Sequence, residues 1–243
     1  MNLVIDIGNT SVKAALFSNR KIAQRLNSFA EIKKAVEIET IECSIISKTG
    51  TDNPVEEFLS TQKFRKLTFN KHLRLPITNQ YATPETVGTD RLALMCAARN
   101  LFPQKNILCI DTGTCITYNF LNSKAIFEGG SIAPGIEMRF KALHHFTANL
   151  PLIKVQKAVE EYWQNKISLV GNSTELSIMS GVINGVIAET NCLVQQYAAI
   201  YQSLKVILTG SGTEFFSKIL EHEHEKLPDL QLEGLNAIIE FNS

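Results

Sequence analysis

Leu3-Val4-Ile5-Asp6-Ile7-Gly8-Asn9-Thr10 returns in altered form as Leu108-Cys109-Ile110-Asp111-Thr112-Gly113-Thr114-Cys115. In each copy an apolar run enters Asp-x-Gly followed by a small polar residue. Asp111 lies 105 positions after Asp6 in a chain of 243 residues, close to half its length. A second strand-like run follows each copy, at 12–17 and at 116–121. Two such runs joined through a Gly-containing connection read as a β-hairpin. The simplest inference is two similar halves, each opening on a hairpin whose turn carries Asp and Gly. The short Pro-containing connection Leu101-Phe102-Pro103-Gln104-Lys105-Asn106 is the candidate boundary. It sets the expected domains at 1–104 and 105–243.

Outward from the repeats, helical and strand patterns alternate. Residues 28–37 read as a helix, 42–47 as a strand, 55–61 as a short helix and 66–69 as a short strand. Residues 90–101 form an amphipathic helix, with Leu92, Met95, Cys96 and Arg99 at helical spacing. In the second half, 136–144, 158–164, 174–202 and 215–224 read as helices. The strand at 205–209 runs into Gly210-Ser211-Gly212. Strands mixed with helices and two equivalent openings indicate an α/β protein of two facing halves. A cleft between such halves is a common place for a ligand.

Composition narrows the function. Lys and Arg number 24 and so do Asp and Glu, so the formal net charge is zero. Broad nucleic-acid binding needs a basic footprint and is not expected. The five cysteines are widely spaced with no CxxC, which reads as reduced thiols in a cytosolic protein. The N-terminal residues lack the basic and apolar regions of a signal peptide, and no run approaches the ~18 apolar residues of a membrane span. The expected address is the cytoplasm, with no membrane partner. A P-loop, GxGxxG and GxSxG are all absent from the sequence.

Asp6-Ile7-Gly8-Asn9-Thr10, with Lys13 beyond it, reads as a turn whose backbone N–H groups can approach phosphate oxygens. Asp6 at a strand end could hold a hydrated Mg²⁺. An ordinary hairpin turn favours the same residues. The turn logic repeats at Asp111-Thr112-Gly113-Thr114. Thr209-Gly210-Ser211-Gly212 allows close backbone approach to a nucleotide, although such turns are also common punctuation. In Tyr81-Ala82-Thr83-Pro84-Glu85-Thr86-Val87-Gly88-Thr89-Asp90-Arg91, Asp90 could accept a proton from a substrate hydroxyl and Arg91 could fork onto a substrate carboxylate. Asp90 equally suits a helix N-cap. Gly129 to Gly135 reads as a loop leading into a helix. Asn172-Ser173-Thr174-Glu175 reads as a helix start in which Thr174 either meets a ligand or caps. His144 and His145 read as structural, and His222 and His224 as part of a solvated helix face.

Taken together, two Asp-x-Gly hairpins and a late Gly-rich turn resemble the acetate-kinase, sugar-kinase, Hsp70 and actin superfamily. Within it the chain is similar, nearly end to end, to the type III pantothenate kinases. The similarity is carried by Asp6-x-Gly8-Asn9-Thr10-x-x-Lys13, Tyr81-x-x-Pro84-x-x-Val87-Gly88-x-Asp90-Arg91 and Asp111-x-Gly113-Thr114. It continues through Gly130-Ser131-Ile132-x-Pro134-Gly135, Leu150-Pro151, Gly171-Asn172-x-Thr174, Ser180-Gly181 and Leu208-Thr209-Gly210-x-Gly212. The Gly-x-Asp-Arg loop is its most specific part.

That resemblance implies two RNase-H-like domains with the nucleotide in the cleft between them, and ATP-dependent phosphorylation of the primary hydroxyl of pantothenate. It implies Asp90 as general base and Tyr81, Gly88, Thr89 and Arg91 as substrate contacts. Thr174 would reach the substrate of the neighbouring subunit in a homodimer. ATP contacts would fall on Asp6, Ile7, Gly8, Asn9, Thr10, Ser11, Val12 and Lys13, with Thr114 in the second half. Asp111 would ligate a monovalent cation, K⁺ or NH₄⁺, and Asp6 would stand near Mg²⁺. Cys115 departs from the small residue common at its position. A kinase for another acceptor, a non-catalytic binding protein and an actin-like filament protein are the alternatives.

Overall fold

The computed structural model describes residues 1–8, 12–48, 53–70 and 72–243. Asn9, Thr10 and Ser11 of the first turn lie outside the described residues. The chain opens with the antiparallel pair β1 (Asn2–Ile7) and β2 (Val12–Ser18), continued by β3 (Lys21–Leu26). Helix α1 (Phe29–Ile38) follows, with Ser28 accepting the Glu31 N–H as its N-cap. Then come β4 (Cys43–Lys48), α2 (Pro54–Ser60), β5 (Arg65–Leu67), β6 (Thr78–Asn79), a short 3₁₀ turn at Pro84–Thr86 and α3 (Thr89–Leu101). The second Asp-x-Gly motif joins β7 (Ile107–Thr112) to β8 (Cys115–Leu121), followed by β9 (Ile126–Pro134), α4 (Ile136–His145) and α5 (Val155–Trp163). The chain ends with α6 (Thr174–Ile200), β10 (Lys205–Thr209), α7 (Thr213–Ile219), β11 (His224–Lys226) and α8 (Leu230–Phe241).

The strands form two mixed sheets. The first has order β3-β2-β1-β4-β5, with β4 parallel to β1; the second has order β11-β10-β7-β8-β9-β6. Both hairpins expected from the repeat are therefore present, each near the centre of its sheet. Compactness divides the chain into two units. One comprises Met1–Ile107, Phe120–Gly129 and Asp229–Ser243; the other comprises Leu108–Asn119 and Gly130–Pro228.

In the first unit, Leu3, Ile5, Ile7, Ala14, Leu16 and Leu26 pack with Ile32, Val55 and Leu59 from α1 and α2. Helices α3 and α8 pack on each other, and α8 also packs on β1. A central strand covered on both faces must be apolar on both, and β1 is buried from Leu3 to Ile7. In the second unit, β7, β8 and β10 bury Leu108, Ile110, Ile116, Tyr118 and Leu208 against Ile178, Met179, Val182, Ile183 and Val186 of α6.

Three segments differ from expectation. Residues 129–134 continue strand β9 instead of forming a loop. Gly130 is required there, because a Cβ would fall 1.7 Å from the Tyr118 carbonyl oxygen of the neighbouring strand. The helix read at 215–224 stops at Ile219, and His224–Lys226 is an edge strand parallel to β10. That strand owes its form to the backbone beside it, since its own residues are all charged or polar. Helix α6 is long and apolar enough to cross a membrane by length and composition, with 44% of its most apolar window buried in the fold.

Candidate active site

In the first unit, α3 starts where β4 ends. Thr89 Oγ1 lies 3.0 Å from Ser47 Oγ and accepts the Lys48 N–H at 3.3 Å. Ser47 is fully buried and is the register partner of Asp6 on the parallel strand β1. Thr89 thus ties the start of α3 to the strand edge that carries Asp6.

The N-cap of α3 is Gly88, with no side-chain capping bond. Asp90 stands in the first turn, and its Oδ1 accepts the Arg91 N–H at 2.8 Å. A carboxylate there is favoured by the helix dipole and satisfies an otherwise orphaned donor. Its carboxylate folds over Gly88: a Cβ at that glycine would lie 2.3 Å from Asp90 Oδ1.

Arg91 is only 5% exposed. Its Cζ lies 5.7 Å from the Tyr81 ring centroid and 5.5 Å from that of Phe127. The two rings are 7° from parallel with centroids 6.3 Å apart. Tyr81 donates its N–H to Asn79 Oδ1 at 3.0 Å. The structure thus brings Tyr81, Gly88, Asp90 and Arg91 together and adds three residues the sequence reading passed over: Ser47, Phe127 and Asn79. The fixed six-residue spacing of Tyr81 from Val87 was visible in sequence; the arrival of β9 beside β6 was not.

Of the first turn's described residues, Asp6 is 9% exposed at the end of β1 and faces Lys13 across the hairpin register. Ile7 is 2% exposed and its side chain belongs to the core. Gly8 and Val12 are half-buried and Lys13 is exposed.

The second unit holds the other turn. Asp111 is half-buried at the end of β7, and Gly113 and Thr114 are exposed. Gly113 N–H bonds the Cys115 carbonyl at 2.9 Å, and Gly135 N–H bonds the Thr114 carbonyl at 3.1 Å. Gly210 has φ +89°, and a Cβ on it would fall 2.3 Å from Asp111 Oδ1 and 2.7 Å from Thr112 N and O. Thr112 Oγ1 donates to the Thr209 carbonyl at 2.8 Å, which locks the Gly-rich turn against the Asp-x-Gly turn. Asp111 Oδ1 and the Thr112 carbonyl thus lie against the space kept open by Gly210, oxygen atoms of the kind a hard cation takes. Among the described residues there is no cluster of three or more His, Cys, Asp or Glu able to hold a metal. A lone carboxylate such as Asp6 fits Mg²⁺, which keeps most of its waters or takes phosphate oxygens.

Thr174 lines a different surface of the second unit. Ser173 caps α6 by accepting the Leu176 N–H at 3.2 Å, which leaves Thr174 exposed at the first helical position. It lines an open groove of about 660 Å³ with Leu143, Leu150, Asn172 and Ser177. His144 bonds the Leu150 carbonyl through Nδ1 at 2.7 Å, a structural contact as expected.

The solved structures speak for the fold. A ROK family glucokinase from Streptomyces griseus, solved with glucose and AMPPNP, matches with TM-score 0.53 at 11% identity, covering 99% of this chain and 98% of that one. The fold is that of the actin-like ATPases and sugar kinases, as the paired Asp-x-Gly hairpins indicated. The family model described as type III pantothenate kinase matches residues 2–196. The type III pantothenate kinase of Cytophaga hutchinsonii is 42% identical over 246 residues, covering all of both chains. That of Christiangramia forsetii is 40% identical over 251 residues, covering 100% of this chain and 99% of the relative. The chain belongs to the type III pantothenate kinase family.

Proposed function

We propose that the chain transfers the γ-phosphoryl group of ATP to the primary hydroxyl of pantothenate, the step that opens coenzyme A biosynthesis. Family membership supplies the reaction. The observation that carries the assignment of roles is the Asp90–Arg91 pair on the first turn of α3, backed by Tyr81. Pantothenate has one carboxylate and a free primary hydroxyl. Arg91 meets the carboxylate, with Tyr81 and the Gly88–Thr89 backbone beside it. Asp90 takes the hydroxyl proton as that oxygen bonds to the γ-phosphorus. The bond from this phosphorus to the bridging oxygen breaks, and ADP leaves.

The residues from Asp6 to Lys13, and Thr114, are the ones assigned to ATP. Asp6 would hold Mg²⁺ and Asp111 a K⁺ or NH₄⁺ ion, cations that neutralise phosphate charge when bound. The repeat halves that carry the two turns run 1–104 and 105–243 in sequence. The working form is a cytoplasmic homodimer, with no nucleic-acid or membrane partner, in which Thr174 reaches the substrate of the neighbouring subunit. The apolar groove around Thr174, flanked by exposed Leu169 and Val170, supports that placement.

The test is ADP release by the purified protein with ATP, Mg²⁺ and pantothenate, in K⁺ or in Na⁺ alone. Turnover should require pantothenate and K⁺. Asp90→Asn should lower kcat by about 10²–10⁴-fold while leaving the folded state intact. A folded protein inactive in both salts would overturn the pantothenate assignment. Undiminished turnover by Asp90→Asn would remove Asp90 from the proton transfer.

A further inference from the structure

A guanidinium is seldom as buried as that of Arg91, and two aromatic rings lie beside it. Phe127 is fully buried on β9, where it is the register partner of Asn79 on β6. Its ring faces both Arg91 and the Tyr81 ring. Tyr81 is fixed in turn from two sides. Its backbone is held by Asn79, and its ring lies over Gly129, where a Cβ would fall 3.1 Å from Tyr81 Cε2. Gly129 has φ +113°, so both its conformation and its missing side chain serve the ring above it. The two parallel rings form an aromatic wall beside a desolvated cation, the setting in which a cation–π contact is strongest.

We propose that Phe127 is a specificity-determining positioning residue: with Tyr81 it fixes the Arg91 guanidinium in the orientation that forks onto the carboxylate of the acceptor. The proposal rests on the reading that Arg91 binds that carboxylate. Arg presents its donors in a rigid plane, so its orientation decides whether two bonds form or one. A leucine at 127 would keep the site apolar yet offer no π face. The guanidinium would then sample other orientations and lose preorganisation, a loss felt in binding. Asp90 and the phosphate-binding turns would keep their positions, so the chemical step should be spared. Phe127 never touches the reacting atoms, and its influence passes only through Arg91.

The experiment compares pantothenate with pantothenol, its uncharged analogue bearing an alcohol in place of the carboxylate, used as substrate or competitive inhibitor. Phe127→Leu should raise KM for pantothenate about tenfold, keep kcat within about twofold, and change pantothenol binding by less than about twofold. Phe127→Met, closer in shape and flexible enough to fill the site, should do the same and stands in if the leucine variant fails to fold. An equal penalty on both ligands, or a fall in kcat alone, would reduce Phe127 to an ordinary core residue and overturn the proposal. No effect on either ligand would overturn it equally. Arg91→Leu serves as the reference. If it penalises both ligands alike, the carboxylate reading of Arg91 fails. If it penalises pantothenate alone while both Phe127 variants behave as wild type, only the role of Phe127 fails.

Discussion

Gly88 and Asp90 occupy the same small volume. The carboxylate of Asp90 is held by the Arg91 N–H and fills the space where a side chain at 88 would begin. The clash made by Gly88→Ala would be with the far end of a flexible side chain, not with backbone. The fold can therefore absorb it by turning the carboxylate away. Alanine at an N-cap costs at most about 1 kcal/mol relative to glycine, so the melting temperature should fall by only a few degrees. Displacement of the proposed base is another matter: a shift of about 1 Å in a reacting group costs about 10²-fold in rate. Gly88→Ala should thus lose kcat out of proportion to stability, which steady-state kinetics and a thermal melt on one preparation would show. A variant that keeps kcat would mean that Asp90 works from another rotamer. Thr89 reads differently at this scale. Its hydroxyl is engaged with Ser47 and Lys48, so it sets the position of the helix start.

At the scale of elements, close backbone approach explains both what positions the site and what stayed hidden in sequence. Helix α3, which carries Asp90 and Arg91, is backed by α8, and the two meet at Gly234, where a Cβ would lie 1.9 Å from the Ala93 carbonyl oxygen. Here the obstacle is backbone, so Gly234→Ala must push the helices apart. Overpacking of this kind costs about 1–3 kcal/mol, and urea unfolding should show the midpoint fall without a change in slope. An unchanged midpoint would mean that α8 shifts without loss. The hairpins, α3 and α6 with its Ser173 cap were legible because local pattern carries them: alternation, turn residues, helical spacing, a cap. The loop from Tyr81 to Arg91 was legible through its motif. By contrast α8, buried on most of its sides, shows no polar stripe to mark it, and only packing on α3 and β1 defines it. Strand β9 contains two glycines that local rules assign to a loop, yet each is there for a neighbour, Tyr81 for Gly129 and Tyr118 for Gly130. Phe127 was invisible for the same reason: its partners come from segments some forty residues away, and no spacing within β9 announces them.

At the scale of the whole molecule, the proposal to test is that Thr174 serves the acceptor site of a neighbouring subunit. Within one chain it lines a groove with Leu143, Leu150 and Ser177, and among the described residues none lining that groove belongs to the loop from Tyr81 to Arg91. Leu169 and Val170, 84% and 81% exposed, stand beside it, and Phe146 is 81% exposed. Exposed apolar side chains beside a groove suit a surface that another protein covers, the arrangement proposed for Thr174. If a second copy does so under two-fold symmetry, each acceptor site is completed by the other subunit. The arrangement has a numerical consequence. Asp90→Asn removes the base, and Thr174→Arg blocks the contribution across the interface, so each variant alone should be nearly inactive. Mixed and allowed to exchange subunits, they form hybrids for about half of the dimers by random pairing, and each hybrid has one site with both lesions and one with neither. About a quarter of wild-type activity should return, rising with the time allowed for exchange. Sedimentation equilibrium on each variant confirms that both still associate. If Thr174 served the site of its own chain, every site in the mixture would carry one lesion and activity would stay at the level of the separate variants. Recovery therefore decides between a site shared across subunits and one contained within a single chain, with no need to see the interface itself.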